Sequence, residues 1–574
     1  VPDLPLLEDL YEPTDPAPDR SADPAPTDPA PDQPADPAPP DPAPQLPVLP
    51  PFEGPAFAAP APAPPNANAS GRQLFVNVVN SYVSFIVGVA MSLLLTRALL
   101  RHLGAGTYGL WVVLLALVGY LGLLDIGVGT AAVQRVARLM AADDRDGVAD
   151  LIRTTWIFFT GSAVLAVLIT VVVAPFVASF LRLGTISPSL AATTLIVLGV
   201  MTALSFLSIV PNAVLFGSGR NDRQTQIGLV TLLLTEVGQI IAVTAGAGLL
   251  AVAVLQLAGV AVTLVLSASV AGRVTGSSLR HGHFSRPLLA DLLRFGGVQA
   301  LVAASSVVAY QLDTVVIGVI LPVAQVAPYN IALNTSNLTT NLSAQATNLL
   351  MPTYAHDDEV GNRTRQATYF LRAVAAVLGL SVPIVIALAA FGEPILTLWL
   401  GRVPPKTYEI MIVLGIVTVL QRPGNQCFLF LTGIGRNRQL AVLASAGALV
   451  NLAGSIGATY WLGPVGPAVG SVPVVLVIDF IVLPVIVCRY LGVSRRRYLR
   501  NALTPVVPAG VVAGAVALAL VHLHPAHSGL AAIVGAGIVV GLAWITLLLV
   551  VSHQEPELRQ ALRQRLRDRR ARRR

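Results

Sequence analysis

Charge is scarce in this chain. Of its 574 residues, 12% are charged, where a soluble globular protein carries roughly a quarter. Lysine is nearly absent: Lys406 stands alone beside 36 arginines. Because it follows Pro404-Pro405, no G-x-x-x-x-G-K-[ST] loop exists, which excludes ATP hydrolysis of the P-loop kind. Only two cysteines occur, Cys427 and Cys488, both in apolar stretches, which excludes a disulfide framework and a cysteine-based zinc site. A basic n-region followed by an apolar h-region is also missing, so no signal peptide is expected.

Apolar residues fill the space that charge leaves. The chain is 54% hydrophobic with a mean hydropathy of +0.71, and its apolar runs repeatedly reach the ~20 residues that a membrane-crossing helix needs. An all-α integral membrane protein follows. We expect fourteen transmembrane helices, at 74–97, 108–133, 155–181, 189–216, 226–246, 249–271, 296–321, 327–352, 369–391, 408–432, 439–461, 465–488, 503–522 and 529–551.

The charge that exists is uneven. Residues 1–70 hold 12 acidic residues against Arg20 alone, and 23 of the 43 prolines, in a repeat such as Asp15-Pro16-Ala17-Pro18. Proline removes backbone donors and like charges repel, so a disordered acidic spacer is expected there. Beyond residue 70 the balance reverses to 36 basic and 18 acidic residues. Arginines crowd every second connection, among them Arg135, Arg138, Arg145 and Arg153, then Arg220 and Arg223, then Arg363, Arg365 and Arg372, then Arg436 and Arg438, then Arg495, Arg496 and Arg497. The intervening connections hold only Arg97, Arg101, Arg182, Arg402 and Lys406. By the positive-inside rule the rich side is cytoplasmic, both termini included. Nucleic acid is not an expected partner, because no soluble domain is left to bind it.

An internal repeat organises the helices. Gly217-Ser218-Gly219-Arg220-Asn221 returns 216 residues later as Gly433-Ile434-Gly435-Arg436-Asn437. We also align Ala141-Ala142-Asp143-Asp144 with Ala355-His356-Asp357-Asp358, an offset of 214. The expected organisation is an acidic tail (1–70), two six-helix halves (71–280 and 281–492) around a central cavity, two extra helices (493–552) and an Arg-rich tail (553–574). Parallel repeats of this kind enclose a central site and alternate its access.

The seventh and eighth helices carry the chemistry. Asn330, Asn334, Asn337, Asn341, Gln345 and Asn348 recur at steps of 4, 3, 4, 4 and 3, one face of an α-helix. Gln299, Ser306, Tyr310 and Asp313 form a second such face. Polar side chains in hydrocarbon are costly, so both faces should meet a wet cavity or each other. Carboxamides that donate and accept suit sugar hydroxyls. Further intramembrane ionisable groups are Asp125, Glu236, Asp313, Arg422 and Asp479. Arg422 lies ten residues from the inner helix end, or about 15 Å, near the midplane. It is either a central cationic site for a phosphate or the partner of Asp313, Glu236 or Asp479. Histidines 522, 524 and 527 have no carboxylates nearby, so no metal is expected, and no nucleophile–base pairing or cofactor motif points to an enzyme.

Arg101-His102-Leu103-Gly104, Tyr108-Gly109-Leu110-Trp111 and Leu124-Asp125-Ile126-Gly127-Val128-Gly129 together resemble the R-x-L-G, Y-G-L-Y and D-L-G-L-G pattern of the Wzx-like polysaccharide-unit (O-antigen type) flippases. These belong to the multidrug/oligosaccharidyl-lipid/polysaccharide exporter superfamily. Leu312-Asp313-Thr314, Phe391-Gly392-Glu393-Pro394, Leu398-Trp399-Leu400-Gly401 and Gly433-Ile434-Gly435-Arg436 continue the resemblance, which covers roughly 74–492. It implies a bacterial cytoplasmic-membrane protein that moves a polyprenyl-diphosphate-linked oligosaccharide to the outer leaflet, beside a polysaccharide polymerase and glycosyltransferases. Fourteen helices instead of the family's frequent twelve are similar to the lipid II flippases. The candidate substrate-binding residues are Arg422, Arg97, Asn337, Asn341, Gln345 and Gln299. Asp125, Asp313 and Glu236 are candidates for ion coupling or for hinges. The alternatives are a lipid II flippase, a cation-coupled multidrug exporter and, among enzymes, a membrane glycan polymerase, which the short outer connections disfavour.

Overall fold

The computed structural model describes residues 71–276, 282–347, 350–523 and 529–554. The acidic tail, His524, His527 and the Arg-rich tail lie outside the described residues, as do the side chains of Gln299, Ser306, Tyr310 and Gln345. Among the described residues the only regular secondary structure is helix, apart from one isolated backbone bridge.

The first half comprises α1 (Gly71–Gly119), α2 (Val128–Ala141), α3 (Arg145–Val173), α4 (Pro188–Gly217), α5 (Asn221–Thr244) and α6 (Leu249–Thr275). Two expected spans share α1, which turns at Gly104, where φ is 80°. The expected span 108–133 is broken: Ile126 and Gly127 both adopt positive φ, and Asp125 accepts a 2.8 Å bond from the Gly129 amide to start α2. That amide has no partner within the helix, which is why a carboxylate settles there.

The second half comprises α7 (Arg286–Ile320), α8 (Val326–Thr347), α9 (Met351–Glu359), α10 (Arg363–Leu400), α11 (Thr407–Gly433), α12 (Asn437–Leu462) and a segment that winds as a π-helix over Val475–Val482 before α13 (Leu483–Tyr490). A short α14 (Arg495–Leu503) leads to the extra helices α15 (Val506–Leu523) and α16 (Gly529–Gln554). Each of the fourteen expected segments overlaps helix. Nine described stretches are long and apolar enough to cross a membrane, and two of them, Ile86–Asp125 and Gln439–Tyr490, hold two helices apiece. Their outward faces are apolar (Val172 in α3, Ile241 in α5, Leu449 in α12, Val511 in α15), as contact with lipid requires.

The repeat is visible in the turns. α4 and α11 end alike: Arg220 N–H donates to Leu215 O at 2.8 Å and Arg436 N–H to Leu431 O at 2.9 Å, around Gly219 and Gly435 at φ 74° and 77°. The acidic pairs are not equivalents. Asp144 N–H bonds Leu139 O as Asn362 N–H bonds Asp357 O, so Asp143-Asp144 aligns with Gly361-Asn362, an offset of 218. Asp144 and Asn362 both cap the following helix. Asp357 and Asp358 instead close α9, with Asp357 wholly buried. Both connections are three residues long, 142–144 and 360–362; the acidic pair lies within the first connection, but at the end of the preceding helix in the second.

Three clusters of buried side chains decide how the halves meet. At the Arg-poor face one core joins both halves, with Leu99, Tyr108, Trp111, Leu181 and Leu195 packed with Ile317, Val326, Tyr329, Leu396 and Met411. At the Arg-rich face the described buried side chains fall into two separate clusters. One holds Val136, Phe159, Val210 and Leu215 of the first half, with only the start of α7 added. The other holds Tyr354, Phe370, Cys427, Phe430 and Val487 of the second. A fourth cluster binds α15 and α16 to α10 through small residues, Ala509, Ala513, Ala532 and Ala543.

Since Gly219 and Gly435 make the same left-handed turn, an alanine at either should cost about 1–2 kcal/mol. Thermal unfolding of the two variants in detergent should show similar falls in midpoint; an unaffected Gly435→Ala protein would contradict the equivalence.

Candidate functional site

The joint core seals one end of the space between the halves. Gly109 lets α1 lie against the α7–α8 connection so closely that any Cβ there would collide with the Val323 carbonyl. Gly318 of α7 likewise faces Val113 without room for a side chain. Backbone pairs lock the same contact: Val323 N–H donates to Arg182 O at 3.1 Å, and Arg182 N–H to Gly318 O at 3.4 Å. Farther along, the Trp399 indole donates to Leu93 O at 2.9 Å and Arg97 to Leu398 O at 3.3 Å. Arg97 is exposed, at the rim of this seal.

The asparagine face of α8 runs away from the seal. Asn330 accepts from the Tyr108 hydroxyl at 2.8 Å, across the halves, and from Asn334 Nδ2 at 3.1 Å. Asn337 is half-buried and Asn341 exposed, so exposure rises along the stripe toward the Arg-rich face. Gln311 of α7 approaches Gly119 of the first half from the same side. The opposite face of α8, with Ser336 and Thr339 buried, packs against α11. The stripe thus starts at an inter-half hydrogen bond and, among the described residues, ends on exposed Asn341. Its carboxamides offer both donors and acceptors to a polar guest. The side chains of Gln345 and Gln299, placed on the same faces by their spacing, lie outside the described residues.

Arg422 does not stand in that stripe. It is 3% exposed, between α11 and α8, with Nε donating to Thr418 O and an Nη to Thr340 Oγ1, both at 2.9 Å. One turn on, Gln426 donates to Thr347 at 3.1 Å. Asp479, in the π-helical stretch, comes up against Gly424, where any side chain would exclude it, and feels the Arg422 charge. Extra residues per turn are a common device for placing one side chain in an interface. Of the three carboxylates weighed as partners for Arg422, Asp479 is the one set against the same helix, at Gly424.

Asp313 belongs to another network. It is buried at the junction of α7, α8 and α12 and accepts from the hydroxyls of Tyr329 and Ser455, each at 2.7 Å. Glu236 sits on α5 with Oε2 buried and no hydrogen bond to it from a described residue. Gln239, one turn away, is fully buried and donates to Gln256 at 2.8 Å and to Val252 O at 3.0 Å. The three candidate carboxylates are thus apart: a helix cap (Asp125), a hydroxyl-bound buried group (Asp313) and a group on the α5 helix (Glu236). Tyr108, Thr340 and Ser455 carry polar contacts that the sequence reading did not single out. Hydroxyls on apolar helices have no periodic signature and usually bond the preceding turn. Tyr108 alone had a signal, since it lies in the Tyr-Gly-Leu-Trp motif.

No curated protein sequence matches the chain. Among solved structures, the lipid II flippase MurJ in an inward closed conformation aligns with a TM-score of 0.65 at 13% identity, over 84% of this chain and 99% of that one. An inward-facing multidrug resistance MATE family transporter of the MOP superfamily aligns with a TM-score of 0.59 at 19% identity, over 70% and 95% of the two chains. An outward-facing MATE family transporter gives 0.52 at 19% identity, over 72% and 95%. At these identities the likeness is one of fold. Residues 94–403 match the family described as polysaccharide biosynthesis protein. The chain is a multi-pass membrane protein with the fold of the MOP superfamily, and it belongs to the polysaccharide biosynthesis protein family.

Proposed function

We propose that this protein flips a polyprenyl-diphosphate-linked oligosaccharide from the cytoplasmic to the outer leaflet of a bacterial cytoplasmic membrane, without covalent change. Both termini and the Arg-rich face are cytoplasmic in this reading, the fourteen helices all span, and no enzyme activity, cofactor or metal is involved. The observation that carries it is the asparagine stripe of α8, which starts at the joint core and ends exposed; in this reading it lines a cavity closed at the Arg-poor face and open at the other. A glycan headgroup cannot cross ~30 Å of hydrocarbon unaided. An amide-lined cavity that opens first to one face and then to the other replaces its hydration. The apolar tail stays in lipid.

The residues divide the work. Asn337 and Asn341, with Gln345 and Gln299, meet sugar hydroxyls. Arg422 holds α8 against α11 and supplies positive potential behind the stripe. Arg97 meets the diphosphate when the seal opens. Asp313 and Glu236 couple the cycle to a cation, while Asp125 acts as a hinge at the Ile126–Gly127 break. A cation-coupled exporter or a lipid II flippase would use the same cavity. The buried, hydroxyl-bound Asp313 is the observation that favours the exporter. A polysaccharide polymerase and glycosyltransferases are the expected neighbours.

Purified protein in liposomes with a labelled lipid-linked glycan should move the label between leaflets and return it chemically intact; a lengthened glycan would identify a polymerase. Losing the donors and acceptors of two stripe residues, at about 0.5–1.5 kcal/mol each, should slow flipping roughly tenfold in Asn337→Leu/Asn341→Leu protein of normal yield. Poor yield with normal specific transport would make the stripe a packing element.

Arg422→Gln should abolish flipping, while Arg422→Lys, which keeps the charge and loses the planar fork, should retain part of it. Normal flipping by Arg422→Gln would remove this residue from the site. Flipping by Asp313→Asn or Glu236→Gln that keeps the wild-type dependence on sodium and pH would exclude that residue from coupling.

A further inference from the structure

The Arg-rich pole of the second half carries a cluster that the cavity does not use. Arg363 and Arg436 both stack on one aromatic ring, with guanidinium carbons 4.9 and 4.6 Å from the centroid of Tyr490. The ring is fixed on three sides. It packs edge-on against Phe430 at 6.0 Å, its hydroxyl donates to Asp358, and its own carbonyl accepts from Arg363 at 3.5 Å. Phe430 is itself held between Tyr354 and Phe370 in the core below. Three helix ends thereby converge: the start of α10, the turn before α12 and the end of α13.

The charges in this cluster do not close on themselves. Two guanidiniums on one ring are closer than about 10 Å, the screening length at 0.1 M salt. The neighbouring carboxylates are engaged elsewhere: Asp358 accepts from Tyr490 and Gln366, and Asp357 pairs with Arg365 at 3.5 Å. Arg363 and Arg436 are exposed, and neither has a carboxylate within ion-pair distance among the described residues. Stacking orients a guanidinium while leaving its edge N–H donors free to fork onto an oxyanion.

Depth identifies the occupant. One apolar stretch begins at Arg363, and another runs from Gln439, just after Arg436, to end at Tyr490. The cluster therefore lies where hydrocarbon gives way to headgroups, the layer in which lipid phosphates reside. The internal repeat supplies a comparison. Arg220 occupies the position of Arg436 in the first half and makes the same turn, yet it stacks on no ring among the described residues.

We propose that Arg363 and Arg436, held on the Tyr490 ring, form a binding site for the phosphate of an anionic phospholipid headgroup at the Arg-rich face of the second half. The site is separate from the transport cavity and from whatever that cavity carries. Lipid bound there ties α10, α12 and α13 together at that pole.

Native mass spectrometry of the full chain in detergent tests this, with dioleoyl-phosphatidylglycerol, dioleoyl-phosphatidylcholine and inorganic pyrophosphate as probes. Wild-type protein should retain phosphatidylglycerol over phosphatidylcholine, and Arg363→Gln/Arg436→Gln should lose that preference by roughly tenfold. Arg220→Gln/Arg223→Gln, which removes equal charge from the same face, should keep it. Should the double variant aggregate, Arg436→Gln alone carries the test, since its contact is with the ring face. Equal loss in the Arg220→Gln/Arg223→Gln protein would reduce the effect to general surface charge and overturn the site. Displacement of the lipid by equimolar pyrophosphate would make it a free-anion site and overturn the lipid assignment. Lipid binding that appears only after removal of residues 1–70 would give the site to the chain's own acidic segment, which also overturns it.

Discussion

A polar group in hydrocarbon must find its partner inside the protein, because no water is there to supply one. Most of this structure follows from that constraint. Hydroxyls on lipid-crossing helices turn back on their own helix, as Thr155 does to Leu151 O at 2.8 Å and Ser205 to Met201 O at 3.0 Å. Longer side chains bridge neighbouring helices, as Gln239 bridges to Gln256, Asp313 to Tyr329 and Ser455, and Arg422 to Thr340. The α8 asparagines are the departure. Asn330 and Asn334 are partnered next to the seal, while Asn337 and Asn341 are increasingly exposed in a helix that would otherwise be lipid-like. Side chains of that kind persist only where water or a polar guest replaces the missing partners.

Small residues provide the complementary device. With little hydrophobic drive between helices in lipid, close packing is what brings them together. Gly109 under Val323 and Gly318 against Val113 let the halves meet flush at one face, while Ala509, Ala513 and Ala532 dock the extra helices on α10. The two uses differ. The contact at the Arg-poor face combines a joint apolar core with backbone pairs and a few single hydrogen bonds. The extra helices share a continuous core with α10.

Much of this architecture was legible in the sequence, because its signals are strong and local. Runs of about 20 apolar residues, arginines on alternate connections, the Gly-x-Gly-Arg turn and the 3.6-residue period of the α8 amides each have one physical reading. What failed was anything that required knowing where a helix ends or which helix it meets. The acidic pairs match by identity, but Asp357 and Asp358 end a helix where Asp143 and Asp144 form the connection, so the backbone equivalent is Gly361-Asn362, and Ile126 and Gly127 break a span that reads as one helix. Arg422 is recognisable in the sequence as a charge near the midplane; that it bonds Thr340 of α8 depends on how two helices pack.

The sequence by itself determined that the chain crosses a membrane many times, which face carries the positive charge, that two halves repeat, and which edge of α8 is polar. Each of these is written in composition or period along a single segment. Tertiary structure alone decided that the halves share a core at the Arg-poor face, that Asp313, Asp125 and Glu236 serve three separate places, and that Arg363 and Arg436 meet on Tyr490. These depend on contacts between residues up to about 300 positions apart, such as Trp399 with Leu93. Apolar helices pack by shape, with little directional bonding to specify which surfaces meet, so such contacts leave no periodic trace in the chain.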